Sequence, residues 1–225
     1  MILRAEKISK QFIRKSGTTN VFTALSETDF TLSEGKLTVI TGRSGSGKST
    51  LLNILSGLLS PTQGRVYLGE QELYAMSDKA LSILRNRHFG FIPQGQSAIF
   101  TLNVMENVLL PYSLYGEYGE GREYAKELLA LMDIAELKDA MPNELSGGEM
   151  RRMAIARAMI RKPAVIFADE PTGDLDDENT EVVFSLLKQT AQKGASVLLV
   201  THENDAYEYA DEVYKMSKGV LHREK

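Results

Sequence analysis

The stretch that decides the fold is Gly42-Arg43-Ser44-Gly45-Ser46-Gly47-Lys48-Ser49-Thr50, called the phosphate loop below. The apolar run 37–41 before it predicts a strand, and residues 49–56 after it predict a helix, which is the context that a phosphate-binding loop requires. Glycines let successive backbone N–H groups turn toward phosphate oxygens, and the positive end of the helix adds to that field. Lys48 supplies a charge to the β- and γ-phosphates, and Ser49 offers its hydroxyl to Mg²⁺. The sequence therefore predicts a nucleoside triphosphate site.

Two adjacent carboxylates, Asp169 and Glu170, follow the apolar run 164–168, which predicts a buried strand. The carboxyl ends of parallel strands face the ligand crevice. We therefore expect Asp169 to hold Mg²⁺, directly or through water, and Glu170 to accept a proton from, or orient, the water that attacks the γ-phosphate. Taken alone, the pair is equally compatible with a solvated strand end or with the start of a helix. The phosphate loop favours the functional interpretation.

A second glycine turn, Leu145-Ser146-Gly147-Gly148-Glu149, opens another predicted helix. Ser146 and Glu149 have the spacing of a capping box, so an ordinary capped helix is one interpretation. It does not explain the adjacent Gly147 and Gly148, because glycine inside a helix costs about 1 kcal/mol. Bare N–H groups at a helix start suit an anion such as a γ-phosphate. The pattern predicts a second anion site.

Short apolar runs alternate with amphipathic stretches along the chain, which predicts an α/β fold with a mostly parallel sheet. Residues 164–168 and 196–200 read as central strands, and 178–192 as the helix between them. Residues 2–32 predict an N-terminal antiparallel β layer. The predicted helices 123–132 and 150–161 belong to a helical lobe, roughly 95–160, inserted into the α/β core of a single domain, 1–225.

The composition excludes several classes of protein. The chain has 225 residues, a net charge of −4 and no cysteine, which argues against a general nucleic-acid binder and excludes disulfides and thiolate metal sites. The net charge does not exclude a local basic patch formed by Arg151, Arg152, Arg157 and Arg161. The first residues lack the apolar run of a signal peptide, and no run approaches the ~20 apolar residues of a membrane span. Any membrane association is expected to come through a partner.

The phosphate loop and the second glycine turn together resemble the ATP-binding subunit of an ABC transporter, a P-loop NTPase, over nearly the whole chain. The resemblance implies that the second glycine turn of one copy closes over ATP and Mg²⁺ bound to another copy. The result would be a head-to-tail, ATP-dependent dimer with two shared sites. It further implies that ATP hydrolysis drives an integral membrane permease, at the cytoplasmic face of a bacterial cell membrane and with no nucleic-acid partner.

The resemblance assigns further residues to the site. Gln94 would contact Mg²⁺ and the attacking water, His202 would contact the γ-phosphate, and Phe12 would stack on adenine. Asp176 would lie in the loop that crosses to the other subunit. Core packing is the competing interpretation for Phe12, and a structural role is the competing interpretation for a single histidine.

Besides Phe12, where relatives more often carry Tyr, three positions depart from the family pattern. Asp174 stands where the nearest subgroups carry Asn, and Pro93 and Gln96 stand near a position that is commonly aromatic. The first change bears on the loop that couples the two shared sites. The other two bear on the surface that meets the membrane partner.

The segment 168–176, Ala-Asp-Glu-Pro-Thr-Gly-Asp-Leu-Asp, resembles the subgroup of lipoprotein-releasing, macrolide-exporting and antimicrobial-peptide-resistance systems, with cell-division relatives nearby. Export or extraction of a lipophilic, peptide or lipoprotein substrate is the leading hypothesis. The alternative is an ATPase that regulates a membrane partner without transport. Soluble DNA-repair relatives insert long coiled coils between the equivalents of Gln94 and Ser146, where this chain has a compact segment. A GTPase is disfavoured because no Asn-Lys-x-Asp guanine motif occurs.

Overall fold

The computed structural model of the chain describes residues 2–13, 21–95, 97–173, 175–203 and 205–225. In these ranges the strands are β1 (Leu3–Ile13), β2 (Val21–Leu32), β3 (Leu37–Thr41), β4 (Gln63–Leu68), β5 (Gln71–Glu72), β6 (Phe89–Ile92), β7 (Val165–Asp169), β8 (Ser196–Thr201), β9 (Glu212–Ser217) and β10 (Val220–Arg223). The α-helices are α1 (Lys48–Leu55), α2 (Asp78–His88), α3 (Val104–Ser113), α4 (Arg122–Leu131), α5 (Gly147–Met159), α6 (Asp177–Gln192) and α7 (Ala206–Tyr209).

The described strands form two sheets. One has the order β2-β1-β4-β5, with antiparallel neighbours throughout. The other has the order β10-β9-β3-β8-β7-β6, in which all neighbours are parallel except the hairpin β9-β10. This arrangement confirms the predicted mostly parallel sheet and the N-terminal antiparallel β layer.

The central strands are apolar on both faces because each face covers a separate core. On β7, Val165 and Phe167 pack into the core that β1, β2 and α1 also fill. Ile166 and Ala168 point the other way, into the core formed with α3–α6. Alternation of side chains along a strand produces this division. Strands β7 and β8 are both fully buried.

Helices and turns fill the chain between β6 and β7, where no described residue lies in a strand. The predicted helices 123–132 and 150–161 correspond to α4 and α5, shifted by one to three residues. Helix α3 was not predicted, although Asn103 and Glu106 form a capping box at its start. Helix α2 was also missed, since it buries only Leu81 and Leu84 and its apolar stripe is short. Among the described helices, none has the length and hydropathy needed to cross a membrane.

The topology brings four chain segments to one edge of the large sheet. Strands β6, β7, β8 and β3 are parallel neighbours, and they end at Ile92, Asp169, Thr201 and Thr41. Parallel strands present their carboxyl ends at the same edge. The segments that follow these four strands therefore meet there, and each of them contains a residue that the sequence predicts to be functional.

Candidate functional site

The phosphate loop is held by close backbone packing that only glycine permits. Gly42 has φ +153°, and a Cβ there would lie 2.3 Å from the Met216 carbonyl oxygen. Gly47 has φ +110°, and a Cβ there would lie 2.5 Å from the Ala24 carbonyl oxygen. Any larger residue at either position would force the loop away from the two strands behind it, β2 and β9.

A C-terminal hairpin completes this support. The Gly219 N–H, in the turn between β9 and β10, donates a 2.8 Å hydrogen bond to the Ser46 carbonyl of the phosphate loop. The Gly219 carbonyl accepts a 2.8 Å bond from the Ser26 N–H on β2. Gly219 itself has φ +79°, and a Cβ there would lie 3.0 Å from the Ala24 carbonyl oxygen. Sequence reasoning missed this contact, because a glycine in a hairpin turn carries no signal of what its backbone touches.

The phosphate loop opens into a cavity of about 890 Å³. This volume lies within the range of sites for small molecules and cofactors. Of the residues predicted from the sequence, the cavity is lined by Phe12, Ser44, Gly45, Ser46, Gly47, Lys48, Ser49, Thr50, Gln94, Glu170 and His202. Within the described part of the chain the buried Ser46 hydroxyl has no hydrogen-bond partner.

Two aromatic rings form the wall of the cavity away from the phosphate loop. Phe12 on β1 is paired with Phe22 on β2 in the sheet register. Each residue is 39% exposed, and both line the cavity. The Lys10 ammonium lies 5.3 Å from the centre of the Phe12 ring. Core packing does not describe Phe12, and Phe22, which sequence reasoning did not single out, stands beside it.

Lys48 and Ser49 begin α1 at the floor of the cavity. The Lys48 ammonium donates a 2.7 Å hydrogen bond to the Gly42 carbonyl and lies 3.8 Å from Glu170 Oε1. The Ser49 hydroxyl donates a 3.2 Å bond to Asp169 Oδ1. Burial raises the pKa of Asp169 above its ordinary 3.8, the Ser49 hydrogen bond lowers it in part, and the charge of Glu170 raises it.

Glu170 stands between Lys48 and His202 in a strained backbone conformation. It is 9% exposed and has φ +47°, a left-handed value that is uncommon for a residue with a side chain. Its Oε2 lies 2.8 Å from His202 Nδ1. Its backbone N–H donates a 2.8 Å bond to the Val200 carbonyl. Strain of this kind persists where the surroundings over-determine it, often at active sites.

Gln94 follows β6 and lines the same cavity, with its side chain exposed. The preceding Pro93 is half-buried. Gln96 and Asp174, the other two departures from the family pattern, lie outside the described residues.

The second glycine turn lies outside the cavity lining. Ser146 Oγ accepts a 3.3 Å bond from the Glu149 N–H, and Glu149 Oε2 accepts a 2.7 Å bond from the Ser146 N–H, which completes the predicted capping box. These bonds hold the pKa of Glu149 below its ordinary range. Among the described residues, nothing lies within 4 Å of a Cβ built on Gly147, and for Gly148 the nearest atom is a Leu175 methyl at 3.4 Å. These described neighbours give no packing reason for Gly147.

Asp176 is engaged within its own chain. Its Oδ1 accepts a 2.9 Å bond from the Asn179 N–H and so caps the start of α6. Two hydrogen bonds from Asn179 lower the pKa of Asp176, the larger effect coming from the backbone N–H and the smaller from the side-chain amide. The side chain is not part of the cavity lining, and a role toward nucleotide stays a prediction.

The four arginines near the second glycine turn do not form an exposed basic patch. Arg151 is buried, and the others are half-buried. All four donate hydrogen bonds within the chain, to the partners Pro93, Gly95 and Glu170 (Arg151), Asn179 (Arg152), Ser97 (Arg157), and Pro111 and Glu117 (Arg161).

Comparison with known proteins identifies the family. The ABC transporter family profile matches residues 25–173, more than half of the chain. The lipoprotein-releasing system ATP-binding protein LolD of Treponema denticola is 40% identical, and the match covers 95% of this chain and 99% of that protein. The macrolide export ATP-binding/permease protein MacB of Chlorobaculum tepidum is 41% identical over 88% of this chain, which spans only 30% of MacB.

A solved structure gives the same result at the level of the fold. The ATP-binding cassette MJ0796, in a dimeric post-hydrolysis state bound to ADP and Pi, superposes with a TM-score of 0.90 at 33% identity. The superposition covers 99% of this chain and 98% of that chain. Strand ends, phosphate loop and carboxylate pair thus occur here in a fold shared with a nucleotide-bound cassette, and the chain belongs to the ABC transporter family as one of its ATPases.

Proposed function

We propose that this chain dimerises head to tail around two ATP molecules and powers an integral membrane permease at the cytoplasmic face of the cell membrane. The observation that carries the proposal is a difference between the two glycine turns: the phosphate loop lines a cavity with predicted catalytic residues, and the second glycine turn does not line it. The phosphate loop shares one cavity with Glu170, His202 and Gln94. The second glycine turn does not line that cavity, and among the described residues nothing lies within 4 Å of a Cβ built on Gly147.

Hydrolysis is assigned to Glu170. Its carboxylate accepts a proton from the water that attacks the γ-phosphate, or orients that water. His202 Nδ1 holds one carboxylate oxygen, which leaves Nε2 to contact the γ-phosphate. Lys48 and the N–H groups of the phosphate loop bind the phosphates, and the exposed face of Phe12 stacks on adenine.

The residues at the start of α1 fit Mg²⁺. The Ser49 hydroxyl and the Asp169 carboxylate are adjacent oxygen donors, and oxygen is the ligand that Mg²⁺ prefers. No three His, Cys, Asp or Glu side chains of the described residues lie close enough together to hold a metal. Ser49, Asp169 and Gln94 would therefore hold the ion together with phosphate oxygens. Bound there, Mg²⁺ neutralises charge that develops on those oxygens.

Three features support the shared site. Ser146, Gly147 and Gly148 present a helix N-terminus, which binds anions, and the capping box keeps it preformed. Glu149 belongs to that turn through its bond to Ser146. The solved relative at 33% identity is itself described as dimeric. Asp176, at the start of α6, would lie where the loop 171–176 meets the second copy.

An apolar groove supports the membrane partner. Leu58, Leu114 and Tyr115 are 52%, 65% and 40% exposed, and they line a groove of about 300 Å³ with Phe89 and Phe91 on β6. Strand β6 ends two residues before Gln94. A permease seated in this groove would contact the strand that carries Gln94 to the cavity. In MacB, as its name states, ATP-binding and permease functions belong to one protein.

For the substrate, we propose export or extraction of a lipophilic molecule, a peptide or a lipoprotein. The similarity to LolD and MacB at about equal identity supports the class and does not choose within it. The alternative is regulation of a membrane partner without transport. It would use the same residues, so the experiment must distinguish it from transport.

The test is the substitution Glu170→Gln, which keeps the size of the side chain and removes its basicity. We expect ATP binding to be retained, turnover to fall by about 10²–10⁴-fold, and an ATP-bound dimer to accumulate. The variant is then purified with ATP from membranes of its native cells, and co-purifying proteins are identified by mass spectrometry. Glu208→Gln, on the exposed side of α7, is the control for loss of a carboxylate.

The outcomes separate the functions. A multi-span membrane protein with a translocation path supports transport, and one without such a path supports regulation. Normal hydrolysis by Glu170→Gln would show that the assignment of Glu170 is wrong. Recovery of a dimer with no membrane protein would contradict the permease partner but not the ATPase.

A further inference from the structure

Arg151 joins two strand ends of the candidate site through one buried side chain. It lies on α5 and is 4% exposed. Its Nη1 donates hydrogen bonds of 2.5 Å and 3.3 Å to the Pro93 and Gly95 carbonyls. Its Nη2 donates a 2.7 Å bond to the Glu170 carbonyl. A guanidinium is planar and rigid, so these three carbonyls are fixed relative to one another.

Two of these carbonyls flank Gln94. Gly95 has φ +75°, so the chain turns sharply just after Gln94. Because Arg151 holds the residues on both sides, it fixes the direction in which the Gln94 side chain leaves the backbone toward the cavity. No cavity-facing contact of Gln94 itself is needed for this effect.

The third carbonyl belongs to the strained residue. Glu170 keeps φ +47° while its N–H is held by the Val200 carbonyl. Arg151 holds the other end of the same residue. Without that bond the peptide after Glu170 loses its buried partner and is able to relax, which would move the carboxylate relative to Lys48 and His202.

Arg151 also lies on the helix that the second glycine turn opens. It follows Gly147 by one helical turn and so shares a face with it. A shift at the start of α5 is therefore carried by one rigid side chain to the backbone of both Gln94 and Glu170.

We propose that Arg151 is a positioning residue for ATP hydrolysis, which fixes Gln94 and Glu170 relative to the helix opened by the second glycine turn. The inference rests on the roles proposed above for Gln94 and Glu170. It goes beyond them because Arg151 is not among the described residues that line the cavity.

The test compares Arg151→Met and Arg151→Lys with Arg161→Met as the control. Arg161 lies just past α5 and bonds to Pro111 and Glu117, remote from the cavity. For each protein, kcat is measured with Mg²⁺ and ATP, and the Kd for ATP by direct titration of a fluorescent ATP analogue. Melting temperatures report on the loss of a buried side chain.

We expect Arg151→Met to lower kcat by about 10–100-fold, the effect of misplacing reacting groups by about 1 Å. The Kd for nucleotide should stay within about 3-fold, because the phosphate loop does not bond to Arg151. Arg151→Lys should recover part of the lost turnover, since it keeps the charge and some donors. Arg161→Met should keep kcat within about 2-fold.

Two results would overturn the proposal. One is an Arg151→Met kcat equal to that of the control; the other is a parallel loss of turnover and affinity, which indicates a purely structural role. If Arg151→Met does not fold, the same split between kcat and Kd is decided on Arg151→Lys. A wild-type protein that binds ATP but never hydrolyses it would refute the proposed function instead, so the two failures are distinguishable.

Discussion

Gly42 and Gly47 of the phosphate loop and Gly147 of the second glycine turn precede or begin a helix, but their surroundings differ. Gly42 and Gly47 are pressed against carbonyl groups of β9 and β2, and a Cβ at either position would clash at 2.3–2.5 Å. Gly147 meets nothing within 4 Å among the described residues. Gly42 and Gly47 permit close contacts inside the chain, whereas the described residues give no such reason for Gly147.

The largest effect is expected from a substitution in the second glycine turn. Ser146→Arg places a long, positively charged side chain at a helix N-terminus, whose dipole repels a cation. In the proposed dimer this side chain would project toward the second copy. We expect the dissociation constant of the ATP-bound dimer to rise by at least about 100-fold, because a bulky side chain in a close interface clashes with the second copy and opposes association. Affinity of the monomer for ATP should stay within about 2-fold. Size-exclusion chromatography in the Glu170→Gln background measures the first, and nucleotide titration the second.

Ser77→Arg is the matched control for this substitution. Ser77 caps α2 in the same way, through a 3.3 Å bond from the Ala80 N–H, and lies outside the cavity. Its replacement should cost similar stability, about 1 kcal/mol, and leave the dimer intact. A dimer that persists with Ser146→Arg would contradict the shared site.

A substitution in the phosphate loop should instead weaken nucleotide binding by the monomer itself. Lys48→Ala removes the ammonium that lies 3.8 Å from Glu170 and faces the loop carbonyls. Hydrogen bonds to charged groups contribute about 1.5–3 kcal/mol, so we expect ATP affinity to fall by about 10–100-fold even in the monomer. Lys36→Ala is the control, since Lys36 pairs with Glu212 at the far end of β3. Unchanged affinity in Lys48→Ala would show that the loop binds no phosphate.

The smallest effect is on the melting temperature and concerns the buried carboxylate of Asp169, which bonds to Ser49 of the phosphate loop. Because burial raises the pKa of Asp169 above 3.8, the folded protein binds that proton more tightly than the unfolded chain does. Its contribution to stability is therefore lost as pH rises from 3.8 through the raised pKa. Asp169→Asn keeps an acceptor for the Ser49 hydroxyl and removes this loss.

In EDTA without nucleotide, we expect the melting temperature of Asp169→Asn to equal or exceed that of the wild type at pH 7, and the difference to shrink toward pH 4. ATP turnover should be lost at the same time. A lower melting temperature at pH 7 would show that the ionised carboxylate stabilises the fold, contrary to the expectation from burial.

The sequence predicted those parts of the molecule whose chemistry is local. The run 37–41, the phosphate loop and the helix after it became β3 and α1 with their bounds nearly as expected. Glu170 and His202 each lie one residue beyond a predicted strand and directly follow the observed β7 and β8. Strand ends meet at one edge in a parallel sheet, so their convergence follows from topology alone.

Long-range backbone contacts were not predictable in this way. The contact between Gly219 and Ser46 is one example, since it joins residues far apart in the chain through backbone groups alone. Arg151 looked like one of four surface arginines, although its partners are carbonyl groups of Pro93, Gly95 and Glu170. Every residue has a carbonyl, so such a partner leaves no trace in residue type or spacing.

The contact between Gly219 and Ser46 has a consequence for the order of events during synthesis. The phosphate loop leaves the ribosome well before β9, β10 and the turn between them. Until that hairpin emerges, the Ser46 carbonyl lacks its donor and the loop lacks the Met216 backbone on which Gly42 rests. A nascent chain therefore displays the whole nucleotide-binding sequence while the surface that shapes it has not yet been translated. We therefore expect nucleotide capture to follow synthesis of the turn between β9 and β10.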